Sequence, residues 1–143
     1  MRTSESVVVP VEPVDVFPHV VDLAAYPRWL PLVHAATPAG EAAWTVELRA
    51  RVGPFARSKQ LRMARVESEP GELVVFERAE VDGREHARWA LRCELTAIDA
   101  GTCVTMHLAY DGRLWTGGIL ERVLDEEIRR GRAGLLELVA DQG

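Results

Sequence analysis

The sequence predicts an α+β chain: a curved antiparallel sheet of six to seven strands wrapped around a long C-terminal helix, with two short helices after strand one. Three observations predict it. Apolar and polar residues alternate with a period of two through most of residues 44–110. The pattern then changes to a helical stripe that lasts to the end of the chain. Between the first strand and the alternating region lies "AYPRWLPLV", residues 25–33, too rich in proline for a regular helix or strand.

Element by element, "ESVVVPV" reads as a short strand, Glu5 to Val11. Val14 to Leu23 has helical spacing, with Val16, Val20 and Leu23 near one face. Pro13 suits its first turn. Pro18 lacks an N–H and crowds the preceding turn, so this helix is short or kinked. Pro27 and Pro31 disfavour helix at Tyr26 and Leu30, leaving room for at most one helical turn between them. "WTVELRARV" then puts Trp44, Val46, Leu48, Ala50 and Val52 on one face of a half-buried strand. "SKQLRMARVES" is a weaker strand in which Val66 leaves the phase of Leu61 and Met63, predicting a bulge.

"ELVVFERAEV" is the next strand, and Asp82-Gly83 signals a tight hairpin after it. That turn sets Phe76 opposite Trp89, Val74 opposite Leu91 and Glu77 opposite Arg88. "ARWALRCELTA" and "TCVTMHLAYDG" alternate in the same way. Closing their loop at Ala97 and Thr102 pairs Leu95 with Val104, Cys93 with Met106 and Trp89 with Tyr110. The cysteines are not opposite each other in that register, so no disulfide is expected. From about Leu114 to Val139, Leu120, Val123, Leu124, Ile128, Leu135 and Leu138 form the helical stripe. Gly117, Gly118, Gly131 and Gly134 interrupt it, through close approach, a bend or simple tolerance.

Composition narrows the function. The 143 residues suit one domain, 1–143, and carry a formal net charge of −5, which gives no general attraction to nucleic acid or anionic membranes. No apolar run reaches the roughly 20 residues of a membrane helix, and Met1 to Val11 lack the order of a signal peptide. Cys93 and Cys103 have no metal spacing. The expectation is a cytoplasmic protein with reduced thiols, no metal and no cofactor.

"VPVEPVDVFPHVVDLAAYPRWLPLV", Val9 to Val33, resembles the helix-grip (START and birch-pollen-allergen-like, or SRPBCC) superfamily, and within it the polyketide cyclase/dehydrase and coenzyme-Q-binding group. Asp22, Tyr26, Pro27, Trp29 and Pro31 occupy the aspartate, tyrosine-proline and aromatic-x-proline places of that group. "AGTCVTMHLAYDG" resembles its last strand. The resemblance covers nearly the whole chain. It implies a cavity between sheet and helix, closed at one end by the short helices, in a superfamily of lipid carriers and cyclases.

Strand parity, read with that fold, points Trp44, Val46, Leu48, Met63, Val74, Phe76, Trp89, Leu91, Met106, Leu108 and Tyr110 inward. Leu120, Leu124 and Ile128 face them from the helix, and Trp29 either lines the cavity or closes the core. Such a wall suits a small hydrophobic or planar molecule. Arg78 shares the inward parity and either holds a ligand oxygen or pairs with Glu80 at the rim. Tyr110 offers a hydroxyl. His34 follows the proline-rich segment and is the best-placed general base, although no acid is spaced to orient it. His19, His86 and His107 read as structural or solvated. Ser4, Ser6, Ser58 and Ser68 sit in ordinary strand or turn contexts.

Three readings compete. The first is a binder of a lipid, quinone or polyketide-like molecule, monomeric or homodimeric, with no nucleic-acid partner. The second is a polyketide cyclase, aromatase or dehydratase using His34, Arg78 and Tyr110 in the same cavity. The third is a partner-binding module without a usable pocket, which predicts a collapsed cavity and an apolar surface.

Overall fold

The computed structural model describes residues 1–112 and 119–142, except for the side chains of Val52, Ile119, Leu120, Glu121 and Gln142. The element order is β1 (Arg2–Val9), α1 (Pro13–Val20), a 3-10 helix (Leu23–Arg28), β2 (Val33–Pro38), β3 (Ala43–Val52), β4 (Phe55–Glu69), β5 (Leu73–Arg78), β6 (Trp89–Ile98), β7 (Gly101–Tyr110) and α2 (Ile119–Gln142). Seven antiparallel strands form one sheet in the order β1-β7-β6-β5-β4-β3-β2. The first strand therefore pairs with the last, and the sheet bends around α2. This is the helix-grip arrangement.

The predicted β6–β7 register is found: Leu95 faces Val104, Cys93 faces Met106 and Trp89 faces Tyr110. The predicted bulge is found too, as a break in β4–β5 pairing between Arg65 and Glu67 that leaves Val66 exposed. Both cysteines are free.

Three expectations need correction. β1 starts earlier and ends earlier, at Arg2–Val9 rather than Glu5–Val11. It pairs along its whole length with β7, and that long-range partner is invisible to local periodicity. The Asp82-Gly83 hairpin is not tight: β5 ends at Arg78, and an irregular loop runs to β6. Asp82 folds back on the Arg84 N–H and on His86 instead. The register accordingly slips by two, with Phe76 opposite Leu91 and Val74 opposite Cys93. Inward parity survives because a slip of two preserves the face. The Glu77–Arg88 pair also survives, at 2.9 Å, through the reach of the arginine. The third correction is β2, a strand that the alternation did not reveal. The described part of the terminal helix begins at Ile119; its expected start at Leu114, with Gly117 and Gly118, lies outside the described residues.

The proline-rich segment is core. Asp22 opens the 3-10 helix by accepting from the Ala24 N–H at 2.9 Å. Pro27 has no N–H, so bonding resumes beyond it, from Trp29 and Leu30 to the Tyr26 carbonyl. Tyr26, Trp29, Leu30, Leu32 and Val33 are all buried. The Trp29 indole donates to the His19 carbonyl at 2.9 Å, and the Tyr26 hydroxyl to the Val20 carbonyl at 2.8 Å. Of the two readings offered for Trp29, this geometry describes core closure.

The helix glycines mark where α2 lies on this segment. A Cβ at Gly134 would come 2.2 Å from the Trp29 carbonyl oxygen, and one at Gly131 would come 2.3 Å from Leu30 Cδ1. Close approach, not tolerance, explains both. Further along, Asp125 accepts from Thr3 and Arg129 pairs with Glu5 at 3.2 Å, tying α2 to β1. Glu127 ties it to the other side. β2 stops short of the far end of β3, and the Arg51 N–H left on that edge favours the ionised form of the Glu127 carboxyl. Arg130 stands 3.5 Å away, and burial pushes the Glu127 pKa up from its ordinary value.

Two predictions follow from this docking. Gly134→Ala drives a methyl into a backbone oxygen and is expected to lower stability by about 1–3 kcal/mol. Gly131→Ala meets only the end of a flexible leucine and should cost less; chemical denaturation of both variants checks the order. For Glu127, a raised folded pKa means that the ionised form is the disfavoured one. Its contribution to stability is full below the unfolded pKa and declines as pH rises through the folded one. Glu127→Gln keeps the shape and an acceptor oxygen and should remove that decline, which thermal melts from the acidic range to neutrality measure.

Candidate functional site

Inward side chains of β3, β4, β6 and β7 meet the 3-10 helix and the residues that follow it. They enclose a space of about 30 Å³ with a wholly apolar lining. Val46, Leu48, Met63, Trp89, Leu91 and Leu108 line it, together with Leu23, Leu30, Leu32, Val33 and Leu61. This is room for one small guest, about the volume of a water molecule. Trp44, Val74, Phe76, Met106, Leu124 and Ile128 are buried in the surrounding core and do not line the space. The side chain of Leu120 lies outside the described ones. A chain of aromatic contacts crosses this core: Tyr26 to Trp29 at 4.7 Å, Tyr26 to Phe76 at 5.8 Å and Phe76 to Trp44 at 5.7 Å.

Two polar atoms in this region stand apart. Trp89 Nε1 and Arg78 Nε are both buried and have no hydrogen-bond partner. The Trp89 ring lines the enclosed space and packs on Tyr110 with ring centroids 4.4 Å apart. The Arg78 side chain is only 8% exposed. One of its terminal nitrogens donates to the Ala87 carbonyl at 3.3 Å, but its Nε stands 3.8 Å from the Glu80 carboxylate, too far for a hydrogen bond. Glu80 itself accepts from the Arg62 N–H. The contrast with Trp29, whose indole N–H is satisfied, sets Trp89 apart.

His34 lies elsewhere. It stands at the irregularity where β2–β3 pairing shifts between Val33 and Ala35. It lines an open cleft of about 450 Å³ beside α2, with Arg49, Arg51, Phe55, Glu127 and Arg130. An acid does stand near it: Glu47 Oε2 is 3.6 Å from His34 Nε2. Sequence spacing gives no sign of this acid, because only β2–β3 pairing brings the two together. Arg78 lines a different cleft, formed by the loop between β5 and β6. The candidates His34 and Arg78 therefore occupy separate clefts.

Other reactive groups have limited scope. The Cys93 thiol, in hydrogen-bonding contact with the Tyr26 hydroxyl at 3.4 Å, is pushed up to about 12 by burial, so it is a poor nucleophile. Burial likewise raises Tyr26 well above its ordinary value. Glu80, Asp82 and His86 bring ligand atoms within 4.8 Å of one another. Their donors are already engaged, however, and the Arg78 guanidinium beside Glu80 opposes a cation. The Arg84 N–H, then His86, hold the Asp82 carboxyl below its usual range.

Solved structures share this architecture. A START superfamily protein from Mycobacterium smegmatis superposes with a TM-score of 0.79 at 14% identity, covering 99% of each chain. A conserved protein from Geobacillus kaustophilus gives 0.78 at 12% identity, covering 99% of this chain and 96% of its own. The Zhui aromatase/cyclase from Streptomyces sp. R1128 gives 0.65 at 14% identity, covering 98% of this chain and 93% of its own. At such identities these likenesses establish the fold alone. No curated protein matches the chain in sequence. The family model described as polyketide cyclase / dehydrase and lipid transport matches residues 1–140. With that match spanning nearly the whole helix-grip unit, the chain belongs to the polyketide cyclase/dehydrase and lipid transport family.

Proposed function

We propose that residues 1–143 form one domain that binds a small hydrophobic or aromatic molecule bearing an oxygen acceptor, of lipid, quinone or polyketide-like type, between the sheet and α2. It acts as a binder or carrier, as a monomer or homodimer in the cytoplasm. The unpartnered indole N–H of Trp89, whose ring lines the enclosed space, carries this reading. A donor buried without a partner costs about 1–3 kcal/mol, and a purely structural core gains nothing from one. A ligand carbonyl, phenol or carboxylate oxygen supplies the missing acceptor, while its apolar body replaces contacts among Leu48, Met63 and Leu108. The space of about 30 Å³ must widen to admit it. The glycine contacts with Trp29 and Leu30 hold the C-terminal half of α2, so the opening occurs nearer its N-terminal end.

One observation favours proton-transfer chemistry of the cyclase or dehydratase kind as a second reading. His34, with Glu47 beside it, shares a cleft with the buried carboxylate Glu127. A base, an acid and arginines at one cleft are what aldol closure and dehydration require.

The first experiment is mass spectrometry of the extract from purified, denatured protein, paired with tryptophan fluorescence during titration with a fatty acid, a menaquinone analogue and a hydroxyanthraquinone. A stoichiometric apolar guest, or saturable quenching by one probe, is the expected result. Trp89→Phe removes the donor but not the ring, and should weaken the oxygen-bearing probe about tenfold. An empty extract with no response to any probe would overturn the binding reading and favour the partner-binding module.

A further inference from the structure

On the outer face of the sheet, three strands bring together residues that lie far apart in sequence. Ser4 on β1 is directly opposite His107 on β7, and His107 is flanked across β6 by Arg92 and Glu94. Ser4 Oγ is 2.7 Å from His107 Nδ1. His107 Nε2 is 3.0 Å from Glu94 Oε1, and Arg92 Nε donates to that same oxygen at 2.9 Å. We propose that Ser4, His107 and Glu94 form a nucleophile relay, and that the cleft around them accepts small uncharged acyl esters.

The hydrogen bonds set the required direction. With its proton on Nε2, the imidazole donates to Glu94 and presents Nδ1 as an acceptor to the Ser4 hydroxyl, which is the tautomer a base needs. The Arg92 contact, and His107 itself, hold the Glu94 carboxyl below its ordinary range and keep it ionised. The next rung is a built-in contrast. Ser6 meets only another hydroxyl, that of Thr105, at 2.9 Å and has no base.

The surroundings fit the substrate class. The cleft is about 500 Å³, within the range of small-molecule sites, and Val75, Ala90 and Ala109 contribute its apolar part. Arg88 and Arg92 there are engaged by Glu77 and Glu94. Neither is left to select an anion. Arg2, which also lines the cleft, makes no ion pair among the described residues. It lies two residues from Ser4 on the same strand face, placed to steady a developing oxyanion. Ser4 is solvent-exposed, so an acyl group can reach it.

In the reaction, Ser4 Oγ bonds to the acyl carbon and its proton passes to His107 Nδ1. The bond from that carbon to the alcohol oxygen breaks, and the departing oxygen takes the proton. Water, deprotonated by the same nitrogen, then releases the acid and restores the serine. This site is separate from the sheet–helix cavity, so its fate is independent of the binding reading.

The test is p-nitrophenyl acetate with the full chain. The expected result is a stoichiometric burst of p-nitrophenolate and one added acetyl group, mapped to Ser4 by peptide mass spectrometry. Ser4→Ala should abolish the burst. His107→Gln should slow it by about 10²-fold or more. Ser6→Ala, on the neighbouring rung, should leave it intact and control for loss of fold. A burst that persists in Ser4→Ala, acetyl found only on Lys59 or the amino terminus, or no burst at all would overturn the proposal and leave an inert cross-strand polar ladder.

Discussion

The close approach of α2 to the backbone at Trp29 is the constraint on which the rest of the structure depends. A helix of ordinary girth cannot lie on the 3-10 segment and inside a bent sheet at once. Gly134 and Gly131 remove the atoms that would hold it off. With the helix seated there, Trp29, Leu30 and Tyr26 are pressed into the end of the grip, and their polar atoms must be satisfied internally. The His19 and Val20 carbonyls, at the end of α1, supply the acceptors. The proline-rich backbone is what frees those aromatic side chains from a helical repeat and lets them converge on one point. Helix, plug and α1 are thus one interlocked unit.

The opposite end of the grip is held differently. There α2 is fixed by side chains, to β1 through Asp125 and Arg129 and to the free edge of β3 through Glu127. Polar side-chain contacts yield more readily than a helix seated on backbone. The two unpartnered donors, Trp89 Nε1 and Arg78 Nε, sit toward this end, where β5 stops and β6 begins. Rigidity and unsatisfied polarity are therefore segregated along the helix. That division suits a pocket that opens at one end without disturbing its plug.

Much of this architecture was legible in the sequence, and the failures share a cause. Alternation reveals which face β3 to β7 bury, and the short β6–β7 turn sets its register correctly. It could not reveal the β5–β6 register, because a shift of two residues leaves the alternation unchanged and Asp82 chose a local loop over a tight turn. β2, "VHAATP", carries too few large apolar residues to alternate. With β2 unread, neither the Glu47 beside His34 nor the unpaired edge of β3 was visible. The helix glycines stand out in the sequence, but whether they mean contact or tolerance depends on what lies opposite.

The outer face illustrates the same limit from the other side. Taken singly, Ser4, His107 and Glu94 are ordinary polar residues at outward positions. They become a hydrogen-bonded series only because the first strand pairs with the last, placing β1, β7 and β6 side by side. That closure is dictated by the interior, since β1 must bury Val7 and Val9 against the same core that β7 covers with Val104 and Met106. The pairing that serves the apolar face sets the polar face with it, because side chains on a strand alternate without freedom to choose. Inner packing thus fixes an outer constellation to within hydrogen-bonding distance, and any chemistry there draws its precision from the core beneath it.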